Sequence, residues 1–140
     1  MASRAETAQS LLDFGLPLTV SAAAEAALLK LPRKSLKHLA GELRTWASKA
    51  PISAAKALYY IDYEDPDLRY VLLEFLLAPP MTFDIEDQVE YEELVSGELA
   101  RVYAEAVGTL PERDKRRLTD GLTIAVTWPD DWEYTWGDTT

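Results

Sequence analysis

Two runs of carboxylates are the part of this sequence whose residue types and spacing point to chemistry. The first run, "YYIDYEDPDLRY", places four acids within six positions and surrounds them with tyrosines. The second run lies in "IEDQVEYEELV", where acids are interleaved with a single tyrosine. Carboxylates beside tyrosines favour Lys- and Arg-rich partners, because the acids steer positive charge and the rings accept cation–π contacts.

The two runs predict a protein-binding surface. Tyrosine offers rigid, amphipathic contact area at a low entropic cost and is enriched at interface hot spots. We therefore expect the carboxylates to bind basic groups of the partner and three tyrosines to act as apolar anchors. The predicted acidic residues are Asp62, Glu64, Asp65, Asp67, Glu86, Asp87, Glu90 and Glu93, and the predicted anchors are Tyr60, Tyr63 and Tyr91.

Other patterns that carry chemistry are missing from the sequence. The acids around Asp62 lack the glycine that a calcium loop requires, and Pro66 interrupts them. His38 is the only histidine, and the absence of cysteine excludes disulfides, thiolate metal sites and cysteine nucleophiles. No glycine-rich phosphate loop or HExxH motif is present. The sequence therefore predicts no catalytic residue, no metal and no cofactor.

The charge is unevenly distributed along the chain. The net charge is -10, and residues 62–107 hold thirteen Asp/Glu against two Lys/Arg, a net of -11. Residues 1–61 hold eight Lys/Arg against four Asp/Glu, a net of +4. An acidic region of this density repels the phosphates of nucleic acids and favours a basic protein. Self-association is a further hypothesis, since the basic and acidic faces of two copies can meet.

The N-terminus and the hydropathy pattern predict a soluble cytoplasmic protein. "MASRAETAQSLLDFG" contains no unbroken apolar segment of the kind a secretory signal needs. The longest stretch without a charged residue lies between Asp13 and Glu25, which is shorter than the roughly 20 residues of a membrane span. The lack of cysteine agrees with a reducing compartment.

The elements that must position these residues are predicted to be mainly helices. A short helix is expected over 4–14, followed by an extended "LPLTV" and a helix capped by Ser21. Residues 33–49 form the clearest pattern, because apolar residues recur there at spacings of three and four and leave a basic outer face. Further helices are predicted over 53–63 and over 66–78, the second with Asp65 as its N-cap. A long helix is predicted over 85–107, with Asp84 as its cap and a break at Ser96 and Gly97. The last predicted helix runs from Pro111 to Gly121.

The C-terminal segment changes from helical spacing to a period of two. Three of the four tryptophans lie in "WPDDWEYTWGDTT", and Ile124, Val126 and Trp128 share one face of the run before Pro129. We predict a hairpin over 122–136 in which Trp128, Val126 and Ile124 face Trp132, Tyr134 and Trp136. A helix through Thr127 followed by a helical turn is the competing interpretation, because the tryptophans are also spaced by four.

Taken together, the sequence predicts one domain over 1–140, mainly α, as a bundle of five to seven helices with a small C-terminal β-hairpin; an all-α fold is the alternative. The function predicted is a non-enzymatic acidic module that neutralises or escorts a basic protein, of the immunity protein, antitoxin, inhibitor or chaperone type. One alternative is an enzyme that uses a carboxylate pair in a helical cleft. Another is a nucleic-acid-associated protein that uses Lys34, Lys37 and Arg44 of the basic 33–49 helix.

Overall fold

The computed structural model describes residues 7–78 and 85–129, and these residues form helices packed on one sheet. The chain is therefore mixed α/β, and the prediction of a mainly α bundle is wrong, as is the all-α alternative. The elements in chain order are α1 (Ala8–Leu11), β1 (Leu18–Val20), α2 (Ala22–Leu28), α3 (Arg33–Ala47), β2 (Ile52–Ile61), β3 (Arg69–Leu77), α4 (Ile85–Gly108), α5 (Glu112–Gly121) and β4 (Leu122–Thr127).

The sheet is mixed and has the strand order β1-β2-β3-β4. β2 and β3 form an antiparallel hairpin at its centre, while β1 is parallel to β2 and β4 is parallel to β3. Parallel neighbours need a crossover connection, and each crossover here contains two helices. Because α3 packs against α4, the two crossovers lie on the same face of the sheet.

The core lies between this face and the helices. Val71, Leu73, Phe75 and Leu77 alternate along β3 and are fully buried, and Leu73 and Phe75 pair across the ladder with alanines of β2. Small residues in β2 leave room for aromatic rings from the helical layer, since the Trp46 ring meets the Phe75 ring edge-on at 5.2 Å. The opposite face of the sheet, the outer face, carries the intervening residues of each strand.

Two predicted helices, over 53–63 and 66–78, are in fact β2 and β3. In β3 the apolar residues occupy both faces, because the partly buried Leu72 and Leu76 lie on the outer face opposite the buried set. Such a run satisfies helical spacing as well as a period of two. In β2 the alanines favour a helix locally, but the ladder with β3 outweighs that preference. Asp65 is consequently a loop residue and not an N-cap.

Several helix predictions are confirmed. Ser21 caps α2, with its Oγ accepting a hydrogen bond from the Ala24 N–H at 3.1 Å. The apolar stripe of α3 is buried along its whole length. α4 runs through Ser96 and Gly97 without the predicted break, and Asp84 lies outside the described residues. α5 ends at Gly121 as predicted, and a glycine leaves room at this position, because a Cβ there would lie 2.9 Å from Leu31 Cδ2.

The prediction for the C-terminal segment is confirmed for its first strand. β4 is a strand, and Val126 and Trp128 are buried against the helical layer. The Trp128 ring stacks on Tyr91 and its Nε1 donates to Glu92 Oε2 at 3.2 Å. The second predicted strand, with Trp132, Tyr134 and Trp136, lies outside the described residues.

α4 is the longest helix, and its composition is polar. It holds seven Asp/Glu residues, which a bilayer interior does not tolerate without partners. In residues 7–78 and 85–129 no helix is both long and apolar enough to cross a membrane.

The turn between α1 and β1 is attached to α3 through one carboxylate. Gly15 adopts a φ of 72°, a left-handed conformation that favours glycine, and its N–H donates to Asp13 Oδ1 at 3.1 Å. Asp13 Oδ2 also lies 2.6 Å from Arg44 Nη1. The Gly15 amide and then the Arg44 guanidinium hold the pKa of Asp13 below its ordinary value.

Leu73→Ala should lower the free energy of unfolding by about 2–5 kcal/mol, because it opens a cavity under the helices. Leu58→Ala, on the outer face where Leu58 is 40% exposed, should lower it by less than about 1 kcal/mol. Urea denaturation followed by circular dichroism measures both values. Equal losses at the two positions would contradict the assignment of the helix-facing and outer sides of the sheet.

Because the pKa of Asp13 is lowered in the folded state, its contribution to stability is complete above about pH 3.9 and is lost as the pH falls through the folded-state pKa. An NMR titration of the Asp13 carboxyl carbon should therefore show a midpoint below that value. Arg44→Met should move the midpoint upwards while the Gly15 amide retains part of the shift. A midpoint that Arg44→Met leaves unchanged would show that the ion pair has no part in the effect.

Candidate functional site

The loop between β2 and β3 has a defined backbone. We name residues 61–68, which are this loop and the last residue of β2, the hairpin tip. The Asp62 N–H donates to the Leu68 carbonyl at 3.0 Å, and the Leu68 N–H donates to the Asp65 carbonyl at 2.8 Å. Asp62 Oδ1 accepts from the Glu64 and Asp65 amides at 2.8 and 3.3 Å. This is an Asx-turn, in which the Asp side chain accepts a hydrogen bond from the backbone N–H two residues later.

Two of the four acids predicted here therefore shape the loop. Asp62 accepts the two backbone hydrogen bonds given above, and Asp65 Oδ1 accepts one from the Asp67 amide at 3.3 Å. The carboxylates of Glu64 and Asp67 accept no hydrogen bond from the described part of the chain and are exposed. The carboxylates of this run that the loop itself does not use are consequently those of Glu64 and Asp67.

Exposed apolar side chains lie beside these two acids. Tyr63 is 87% exposed, and Ile61 and Leu68 are each about half exposed, at 48% and 47%. Exposed residues of this size at the tip of a loop are characteristic of contact surfaces when they are grouped. Ile61 and Leu68 were not predicted as contact residues from the sequence, because both lie in the helices predicted over 53–63 and 66–78. The aromatic and β-branched run "YYI" before the acids is the local signal that favours a strand.

The outer face continues this surface along the sheet. Tyr60 and Tyr70 are partners in the ladder, and their rings stack at 5.0 Å. Next along the strands come Leu58 and Leu72, followed by a Lys56–Glu74 ion pair with 3.7 Å between Nζ and Oε1. The predicted anchors Tyr60 and Tyr63 thus lie together at one end of the sheet, Tyr60 on the outer face and Tyr63 on the hairpin tip.

The second predicted acidic set lies at the other end of the molecule. Glu86, Asp87, Glu90 and Glu93 are on the first turns of α4, and they are exposed. Tyr91 fixes the position of this part of α4, because its hydroxyl donates to the Ala78 carbonyl just after β3 ends, at 3.2 Å. β3 begins at the hairpin tip and spans nine residues, or about 30 Å. The structure therefore does not bring the two acidic sets together.

Tyr91 itself packs inwards. Its ring stacks on the buried Trp128, and partial burial raises the pKa of its hydroxyl above the ordinary value. This placement makes Tyr91 part of the junction between α4 and β4 and leaves little of it for a partner.

A cleft of about 480 Å³ between α3 and α4 corresponds to the helical cleft of the enzyme alternative. It is lined by His38, Trp46 and charged residues of both signs, including Glu42 and Glu98. His38 Nε2 lies 3.1 Å from Thr109 Oγ1, and the Arg101–Glu105 ion pair also lines the cleft. Among the residues that the structure describes, no group of three or more His, Asp or Glu side chains is arranged to hold a metal ion.

The basic face of α3 contributes less positive charge than the sequence indicates. Lys34 and Lys37 are exposed, but Arg44 is paired with Asp13. An arginine held by a carboxylate of its own chain is a weaker phosphate ligand, since the ion pair must be broken first.

Asp62→Ala should speed hydrogen exchange at the Glu64 and Asp65 amides and lower the free energy of unfolding by about 1 kcal/mol, because those amides lose their acceptor. Glu64→Ala removes the same charge without removing a backbone contact and is the matched control. Exchange measured by NMR should stay unchanged in the control. Similar acceleration in both variants would show that charge, and not hydrogen bonding, orders the tip.

Comparison with protein-family models, with curated proteins and with solved structures finds no match to this chain. Among the surfaces described above, the hairpin tip combines charge, exposed apolar area and a defined backbone.

Proposed function

We propose that this chain is a non-enzymatic binding module that holds a basic protein through its hairpin tip, as an immunity protein, antitoxin, inhibitor or chaperone would. The observation that carries the proposal is the projection of Tyr63, Glu64 and Asp67 from a loop whose backbone is held by Asp62 and Asp65. We further propose a cytoplasmic location, in keeping with a chain that has no cysteine.

The arrangement suits binding for three physical reasons. A loop that is already hydrogen-bonded loses little conformational entropy when a partner docks. An exposed tyrosine provides a large apolar anchor with a polar end. Carboxylates beside it lower the free energy of approach for Lys and Arg and raise it for anions.

The outer face supports the same proposal. Tyr60 and Leu58 are each 40% exposed and lie on the strand that leads to the tip. They extend the apolar area beyond the loop, so that a partner's basic groups can meet the acids while its apolar groups contact the sheet. The α4 acids, at the other end, contribute to the overall field and not to this contact.

The test is capture of a basic protein from lysate by the full chain, followed by affinity measurements with matched variants. Glu64→Lys/Asp67→Lys should weaken binding at least tenfold and flatten its salt dependence, because two acceptors of positive charge are reversed. Glu86→Lys/Glu90→Lys changes the net charge equally on α4 and should weaken binding much less.

Tyr63→Ala should weaken binding by about tenfold without altering the salt dependence, since it removes an apolar anchor and no charge. Equal losses in the two charge variants would indicate attraction by net charge alone. Affinity unchanged in both Glu64→Lys/Asp67→Lys and Tyr63→Ala would remove the hairpin tip from the interface.

A further inference from the structure

The cleft between α3 and α4, which we name the α3/α4 cleft, is lined by a buried polar group that has no acceptor. Trp46 is only 7% exposed, and its Nε1 has no hydrogen-bond partner among the residues that the structure describes. By contrast, the indole of the buried Trp128 donates to Glu92. Proteins usually satisfy a buried N–H with a protein group, a water or a ligand, because an unmade hydrogen bond is costly. The Trp46 N–H therefore indicates that an acceptor enters this cleft.

Three charged side chains of the cleft form no ion pair within residues 7–78 and 85–129. They are Glu42 on α3, Lys49 just beyond the end of α3, and Glu98 on α4. The other polar groups at the cleft are already bonded within the chain, in the contact of His38 with Thr109 and in the Arg101–Glu105 ion pair. The groups left for a ligand are consequently two carboxylates, one ammonium group and one indole N–H.

The indole N–H and the ammonium group lie on the same side of the chain. Lys49 follows Trp46 by three residues, and the Lys49 N–H donates to the Trp46 carbonyl at 3.0 Å, so the helical turn continues through this point. Side chains three residues apart on a helical turn are neighbours. One anionic group of a ligand can therefore accept from the Trp46 N–H and neutralise Lys49.

The acids of the cleft disfavour a ligand that is only an anion. The lining holds three carboxylates against two permanent cations, namely Glu42, Glu98 and Glu105 against Lys49 and Arg101. An excess of negative charge repels a simple anion. An ammonium group on the same ligand removes this repulsion, because the carboxylates of Glu42 and Glu98 can accept charge-assisted hydrogen bonds from it.

We propose that the α3/α4 cleft binds a small zwitterion of the amino-acid class. The ligand's carboxylate accepts from Trp46 Nε1 and pairs with Lys49, and its ammonium group is bound by Glu42 and Glu98.

The size and the position of the cleft agree with such a ligand. Its volume of about 480 Å³ is in the range of small-molecule sites, and Val102 and Ala106 give it an apolar part for a ligand side chain. The cleft extends to Pro51, just before β2, whereas the hairpin tip is at the end of that strand. The site is thus separate from the hairpin tip and does not rest on the proposed function.

The test follows the indole N–H resonances of the full chain by two-dimensional proton–nitrogen NMR while the common free amino acids are added at about 5 mM each. The Trp46 resonance, assigned with Trp46→Phe, should move downfield because its N–H gains an acceptor. The Trp128 resonance is the internal control and should stay in place, since that indole is already bonded to Glu92.

Derivatives of the amino acid that binds separate the two charges. Its amide and its N-acetyl derivative should each bind at least tenfold more weakly, because each lacks one of the two charged groups. Acetate, which supplies a carboxylate without an ammonium group, should leave the Trp46 resonance in place.

Lys49→Gln and Glu42→Gln should each weaken binding of that amino acid at least tenfold, and both positions are exposed, so the variants should fold. Lys34→Gln and Glu25→Gln remove the same charges outside the cleft and should leave the affinity unchanged. A Trp46 resonance that no amino acid moves would overturn the proposal. An equal movement with acetate would also overturn it, as would an affinity that Lys49→Gln and Glu42→Gln leave unchanged.

Discussion

The antiparallel pairing of β2 with β3 is the interaction on which the rest of the structure depends. Each parallel outer strand is hydrogen-bonded to one member of this pair, and each two-helix crossover starts or ends on it. The helix-facing residues of β3 supply the floor on which the helical layer packs, with Phe75 in contact with the rings of both Phe14 and Trp46. Loss of the central ladder would therefore separate β1 and its crossover from β4 and its crossover within the sheet.

The same ladder determines where the functional groups can be. Because β2 and β3 are long for a hairpin, the loop that joins them lies at one end of the sheet, about 30 Å from the first turns of α4. The acidity of residues 62–107 is thus divided between two surfaces. One is a loop with its own hydrogen bonds and exposed apolar residues, and the other is a helix surface anchored by the contact of Tyr91 with Ala78.

The sequence by itself determined the elements whose signals are local. Ser21 caps α2 through a hydrogen bond three residues ahead, the stripe of α3 repeats with helical spacing, and the β-branched run 122–127 alternates. It also identified the acidic run and Tyr63 as candidate contact residues, because charge and residue type are readable without a fold, but it assigned them to the ends of helices.

Only the tertiary structure decided that residues 52–61 and 69–77 are strands. The alanines of β2 also suit a helix, and the apolar residues on both faces of β3 fit either a helical spacing or a period of two. The hydrogen bonds of a partner strand decide between the two. The division of the acids between two distant surfaces follows from that ladder. So does the exposure of Ile61 and Leu68, since a strand and a helix of the same sequence turn different residues to the solvent.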